Sequence, residues 1–212
     1  KAGAIGRIAA FVNNIPCVYN AHGWAFCMDV SDTKKRVYAF IEKLLAKLTD
    51  YIINISDSEQ NLALSYNVAK KEKMIVIYNG ININRFNQVN FNDDILSSLG
   101  IPKDAFIIGM AARLTEQKSP QTFVEIAERV IKENENSYFI LVGDGELRNE
   151  VDSLIREKKL EDKVFITGWT NEVQNYISLF DIGMLTSKWE GFGLSIIEYM
   201  ASRKPVIASD IG

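Results

Sequence analysis

Apolar positions along this chain alternate between short continuous runs and longer segments in which every third or fourth residue is apolar. The runs Ile15 to Tyr19, Tyr51 to Ile55, Met74 to Tyr78, Phe106 to Ala111, Tyr138 to Val142, Val164 to Thr167, Asp181 to Leu185 and Pro205 to Ala208 predict strands. The segments between them predict helices. Lys34 to Asp50 carries Val37, Ile41, Leu44 and Leu48 on one stripe, flanked by Phe40 and Leu45. Ser56, with Glu59 three residues later, reads as a capping box, and Ser119-Pro120 reads as a cap followed by proline at the first helical position. Phe123, Ile126, Ala127, Val130 and Ile131 face inward on the helix after Pro120, as do Leu147, Val151, Leu154 and Ile155 on the next. Asn171 to Leu179 predicts a short helix. A last helix begins near Gly193, with Leu194, Ile197 and Met200 as its apolar stripe and Ile196 and Ala201 beside it.

Strands alternating with helices at this rhythm imply an α/β fold with parallel sheets and right-handed crossovers. The stretch Asn82 to Asn92 is rich in Asn and poor in aliphatic residues, so the alternation divides into two Rossmann-like domains, 1–84 and 85–212. Charge follows the same division. The net charge is −3, yet up to Gln88 there are 11 Lys+Arg against 7 Asp+Glu, and from Val89 onward 13 against 20. Neither part is basic enough to imply nucleic acid. Helix Lys34 to Asp50 does concentrate Lys34, Lys35, Arg36, Lys43 and Lys47 on its polar side, a face suited to solvent or to anionic lipid.

No apolar run approaches the roughly twenty residues of a membrane span. Lys1 to Ile8 resembles neither a signal nor a transit peptide, and the chain reads as the interior of a longer protein. Cys17 and Cys27 lack metal-ligand or redox spacing, which favours a reducing cytoplasm. A single His and the lack of any Asp-x-Asp triplet leave no evident metal ligands, and nothing in the sequence requires a cofactor.

The candidate chemistry lies where strands end. Trp189 to Ser202 reads W-E-G-F-G-L-S-I-I-E-Y-M-A-S. In it a glycine-spaced turn opens a helix whose first amides can face an anion, and the carboxylates Glu190 and Glu198 lie on either side. Their separation of roughly 10 Å along the helix direction suits two clusters of hydroxyls flanking a diphosphate. Arg113 and Lys118 follow another strand and supply positive charge to the same sheet edge. His22, in the turn Asn20-Ala21-His22-Gly23, and Gly168-Trp169 also follow strands, at the edge where open α/β sheets bind ligands.

On these residues the chain resembles a retaining glycosyltransferase of the GT-B fold, of the family (family 4) whose bacterial members build capsular, exopolysaccharide and lipopolysaccharide chains. The resemblance covers essentially the whole chain. It rests on E-G-F-G-L-x-x-x-E from Glu190 to Glu198, on R-L-x-x-x-K from Arg113 to Lys118, and on P-V-I-A-S-D-I-G from Pro205. The family's K-G pair is Lys118-Ser119 here.

The resemblance implies metal-independent transfer of a sugar from a nucleotide-diphosphate donor to a glycan or lipid-linked acceptor. Arg113 and Lys118 would hold the diphosphate, Glu198 the ribose and Glu190 the transferred sugar. Backbone amides of Gly191, Phe192, Gly193 and Leu194 would touch the phosphates and sugar. Gly168 and Trp169 would lie beside the base, and His22 by the reacting sugar. It also implies further chain before Lys1 and after Gly212, truncation of both domains, and little turnover by this piece alone. A nucleotide-sugar epimerase and a non-catalytic nucleotide-sugar-binding remnant are the alternatives.

Overall fold

The computed structural model describes residues 2–211 apart from 88 and 90–92. Two parallel sheets carry the chain, and its contacts group into two compact units. The first comprises the chain to Gly80 together with Trp189–Phe192, and the second Ile81–Lys188 with Gly193–Ile211.

The first unit runs α1 (Ala2–Val12), β1 (Val18–Asn20), α2 (Asp32–Ala46), β2 (Tyr51–Asn54), α3 (Asp57–Ser65) and β3 (Met74–Val76). Its sheet has the order β1-β2-β3, all parallel, in the register Val18↔Tyr51 and Ile52↔Met74. β1 starts three residues later than its apolar run predicts. The chain first reverses at Asn14, whose φ is 53°, and the Ile15 amide donates to Ala10 of α1. The core is Trp24, Phe26, Ala39, Ala46, Ile52, Ala63, Val68 and Met74.

Helix α2 overturns the predicted stripe. Val37, Phe40, Ile41 and Leu44 are 44–60% exposed, whereas Ala39, Leu45 and Ala46 are buried. Its orientation is set by Glu42, which pairs at 2.8 Å with the buried Arg7 of α1. The Arg7 guanidinium lies 3.8 Å over the Tyr19 ring. Two alanines allow close approach, and a desolvated ion pair that loses its partner is costly, so this face turns inward although it is less apolar.

The second unit contains α4 (Asn84–Asn87), α5 (Asp93–Leu99), β4 (Phe106–Ala111), α6 (Pro120–Glu133), β5 (Ser137–Val142), α7 (Arg148–Glu157), β6 (Val164–Gly168), α8 (Val173–Ile177), β7 (Ile182–Leu185), α9 (Leu194–Ala201) and β8 (Val206–Ala208). The strand order is β6-β5-β4-β7-β8, again parallel throughout. Residues 88 and 90–92 of the predicted Asn-rich connection lie outside the described residues, while Asn84–Asn87 forms α4 with Phe86 buried.

One face of this sheet packs Phe123, Val124 and Ala127 of α6 and Val151 and Ile155 of α7 on Met110, Phe139 and Leu141. The other packs Tyr199 of α9, Ile177 and Phe180 on Ile107, Ala111 and Ile140. Pro120 opens α6, but Ser119 does not cap it. The residue takes φ 48°, and its hydroxyl pairs with Thr122 Oγ1 at 2.9 Å rather than with a helix amide.

The stripe expected on α9 is also corrected. Leu194 and Met200 are 44% and 62% exposed, and the buried anchor is Tyr199. Its ring covers Gly183 of β7, where an added Cβ would stand 2.4 Å from Tyr199 Cδ2. A phenol can enter this position because its hydroxyl finds partners at the sheet, which a count of apolar positions does not register.

Candidate functional site

The site in the second unit forms where β4, β5 and β6 end. Three tethers hold the elements together. The Ala111 amide donates to Tyr199 Oη at 2.7 Å, and Ser195 Oγ donates to the Ala111 carbonyl at 2.6 Å, so the start of α9 is fixed to the end of β4. The Ala112 amide donates to Val142 and the Leu114 amide to Asp144, each at 3.0 Å, which zips the loop after β4 to the loop after β5. This approach requires Gly143, whose φ is 148° and where a Cβ would come within 2.0 Å of the Ala112 carbonyl oxygen. The third tether joins the exit of β7 to the same loop. Thr186 Oγ1 donates to the Lys118 carbonyl at 3.0 Å, and the Lys188 amide donates to Gln117 at 2.7 Å.

A cavity of about 380 Å³ opens between these loops, lined by Ala111 to Arg113, Val142 to Asp144, Trp169, Thr170, Val173 and Glu198. Arg113, Trp169 and Glu198 are thereby brought together. Arg113 is 74% exposed and stands 3.5 Å from Glu146. Trp169 is 72% exposed, a flat apolar surface beside the opening. Glu198 is half-buried, and burial raises its pKa above the usual carboxylate range, opposed by the positive charge of Arg85. Gly168, at φ 81°, precedes Trp169 at the end of β6. Lys118 stands outside the cavity lining, half-buried in the loop that carries Arg113. Gly193, at φ 73°, is the last residue before α9, and Leu194 is its first.

The remaining predicted residues belong to the first unit. His22 follows β1 in a left-handed conformation, φ 47°, its amide donating to Asn20 Oδ1 at 3.2 Å. The turn is anchored by Trp24, whose indole N–H donates to the buried Asn54 Oδ1 at 3.1 Å and whose ring stacks on Phe26. Phe192 lies against Tyr78, ring centroids 6.1 Å apart. Glu190 and Gly191 precede it, both half-buried.

Sequence reasoning missed Asp144, Thr170 and Val173 in the cavity lining, Arg85 beside Glu198, and the buried Glu59 beside Gly23 and Gly191. Arg85 is held by Gln174 Oε1 at 3.1 Å and by the Asn171 carbonyl, partners 86 to 89 residues away that no local pattern discloses. Among the described residues no group of His, Cys, Asp and Glu could hold a metal ion.

Two parallel-sheet α/β units, the second with a ligand-sized hollow at its strand ends, define the GT-B class of fold. The chain belongs to the family of glycosyl transferases group 1, which it matches over residues 91–212; residues 1–85 match glycosyltransferase family 4. An Escherichia coli relative, UDP-Gal:alpha-D-GlcNAc-diphosphoundecaprenol alpha-1,3-galactosyltransferase, is 33% identical over 100% of this chain and 56% of its own length. Poly(ribitol-phosphate) alpha-N-acetylglucosaminyltransferase of Staphylococcus aureus is 36% identical over 50% of this chain and 21% of its own. The crystal structure of Anabaena Alr3699/HepE in complex with UDP and glucose matches with a TM-score of 0.86 at 25% identity, over 100% of this chain and 57% of that one. The chain thus spans about half the length of the relatives that it matches throughout.

Proposed function

We propose that the protein transfers a sugar from a nucleotide-diphosphate sugar to a hydroxyl of a glycan or lipid-linked acceptor in the building of a cell-surface polysaccharide, with retention at the anomeric carbon and without a metal. The observation that carries this reading is the cavity in which the guanidinium of Arg113, the carboxylate of Glu198 and the indole of Trp169 meet. Such a set matches the chemistry of a nucleotide: a base stacks, ribose hydroxyls donate to a carboxylate, and a diphosphate takes a guanidinium. The relatives' names and complexes make uracil the base to test first.

In this reading the domains divide at 84/85, with the acceptor side in the first and the donor in the second. Glu198 accepts from the ribose hydroxyls, and Gly168 and Trp169 flank the base. Arg113 and Lys118 neutralise the diphosphate as the glycosidic bond breaks, aided by the amides of Gly191 to Leu194. That charge exists fully only once the bond has broken, so fixed donors there lower the barrier more than they strengthen ground-state binding. Glu190 holds the transferred sugar, and His22 stands by its reacting carbon. The acceptor oxygen bonds to the anomeric carbon as the bond from that carbon to the diphosphate breaks on the same face, and the hydroxyl proton passes to the departing phosphate oxygen. The protein works in the cytoplasm, at the inner face of the cytoplasmic membrane, where a lipid-linked acceptor is presented.

The test is the full-length protein given a panel of nucleotide-diphosphate sugars, with and without acceptor, in the presence of a chelator. Expected are diphosphate release that depends on acceptor, a product of unchanged anomeric configuration by NMR, and a fall in turnover of about a hundredfold or more for Lys118→Ala. A new epimer formed from donor alone, or wild-type turnover by Lys118→Ala, overturns the reading.

A further inference from the structure

Glu59 carries a buried carboxyl group for which the transfer reading has no use. It sits in the first turn of α3 and is only 4% exposed. Its own amide donates to Ser56 Oγ at 3.2 Å, so the expected capping box is half formed. In a full box the glutamate side chain would turn back to the amide of Ser56. Instead, Oε2 accepts the Ile55 amide at 3.1 Å, and Oε1 is left buried with no hydrogen-bond partner.

The orphaned oxygen faces two backbone segments. A Cβ on Gly191 would lie 2.8 Å from Oε1, and one on Gly23, where φ is 107°, would lie 3.9 Å from it. Burial raises the Glu59 pKa, and the Ile55 amide, the charge of His22 and the Gly23 amide oppose that rise in decreasing order. The Gly23 N–H thus favours the carboxylate. A buried, incompletely paired carboxyl costs stability wherever it serves only the fold. An apolar residue in this place would avoid that cost.

We infer that Glu59 is a positioning residue for the transfer reaction: its carboxyl group sets the His22–Gly23 turn on one side and limits how closely the Gly191 backbone approaches on the other. The inference rests on the reading that His22 serves the transferred sugar and that the Gly191 amide helps to stabilise the diphosphate as it departs. It goes beyond that reading by assigning a function to a side chain outside every motif of the site. Gly191 then needs to be glycine because of the carboxyl oxygen behind it.

The experiment uses the full-length protein and its variants Glu59→Gln, Glu59→Ala, Gly191→Ala and Gly191→Ala with Glu59→Asp. Nucleoside diphosphate binding, turnover, thermal midpoint and the hydrogen exchange of the Gly23 and Gly191 amides are measured on each. Expected for Glu59→Gln and Glu59→Ala is a fall in kcat on the order of tenfold to a hundredfold, with binding of the nucleoside diphosphate alone unchanged. Their midpoints should stay within about 3 °C of wild type, the scale of a 1 kcal/mol change. Exchange at Gly23 and Gly191 should quicken in Glu59→Ala. Aspartate withdraws the carboxyl by about 1.5 Å, one carbon–carbon bond, so it should restore part of the activity lost in Gly191→Ala.

Wild-type kcat in Glu59→Gln, or nucleotide binding and midpoint falling together with kcat, overturns the inference. If the wild-type protein transfers no sugar, the functional reading fails by itself. Amide exchange then decides the positioning claim: unchanged rates at Gly23 and Gly191 in Glu59→Ala sink it, and quickened rates uphold it.

Discussion

A carboxylate that must accept hydroxyl hydrogen bonds is useful only while ionised, and Glu198 is placed where ionisation is made harder. Burial at the cavity wall favours its protonated form, and the Arg85 guanidinium recovers part of that loss. The group therefore loses its charge at a higher pH than an exposed glutamate would. Donor affinity of the wild-type protein should weaken as pH falls through this raised pKa. Glu198→Gln should bind more weakly and without that pH dependence. Titrating the donor at several pH values on both proteins checks this, and parallel profiles refute it.

Stability moves in the opposite sense. A carboxyl whose folded pKa exceeds its unfolded one adds stability below the unfolded value, and this is lost as pH rises through the folded value. Glu198→Gln should therefore be no less stable than wild type at neutral pH. Thermal midpoints at acid and neutral pH provide the comparison. Arg85→Ala, which removes the opposing charge, should move the acid limb of the binding profile upward.

Elements are held to the site by few contacts, and the Tyr199 hydroxyl makes two of them. It accepts the Ala111 amide at 2.7 Å and lies 3.4 Å from the Met184 carbonyl, inside a core where the residue is fully buried. Burial strongly raises its pKa, so the phenol stays neutral across the working range. Tyr199→Phe keeps the ring over Gly183 but leaves a buried amide without an acceptor, at a cost of about 1–3 kcal/mol. Because that amide belongs to the residue that Ser195 also grips, the loosened start of α9 should weaken donor binding as well as stability. Denaturant unfolding and donor titration of the variant measure the two; an unchanged unfolding midpoint would refute the tether.

At this scale the sequence disclosed the strands and their parallel arrangement, because the central strands β4, β5 and β7 are largely buried on both faces and read as continuous apolar runs. Arg113 and Trp169 were legible because each follows the end of a strand, and Glu198 because it lies across the glycine-spaced turn from Glu190. The sequence misled on the inward faces of α2 and α9. There the deciding residues are Arg7 with Glu42 and Tyr199 with Ala111, pairs whose partners lie 35 and 88 residues apart. Apolar periodicity cannot register a polar contact that distant. Glu59 was visible as a helix-capping residue, but the orphaned oxygen that sets it apart depends on Gly23 and Gly191, which arrive from other parts of the chain.

Over the whole molecule charge and apolar exposure are unevenly shared, and the first unit bears both on α2. Val37, Phe40, Ile41 and Leu44 are exposed on a helix that also carries Lys34, Lys35, Arg36 and Lys43. At its end a groove of about 980 Å³ is lined by Lys43, Lys47, Lys70, Lys71 and Lys73 against Asp50 and Glu72. No described helix is long and apolar enough to cross a membrane. An apolar strip bordered by lysines instead suits the surface of an anionic bilayer, where each basic residue contributes about 1 kcal/mol and the apolar side chains enter the acyl boundary. The full-length protein should float with anionic vesicles, should be released from them by salt, and should ignore neutral ones. Neutralising Lys35, Arg36 and Lys43 together should weaken binding by about 3 kcal/mol, more than a hundredfold, while replacing Phe40 and Leu44 by serine should leave a residual attachment that salt removes completely. Flotation unaffected by both sets of changes would place the membrane contact elsewhere and leave α2 to face another part of the protein.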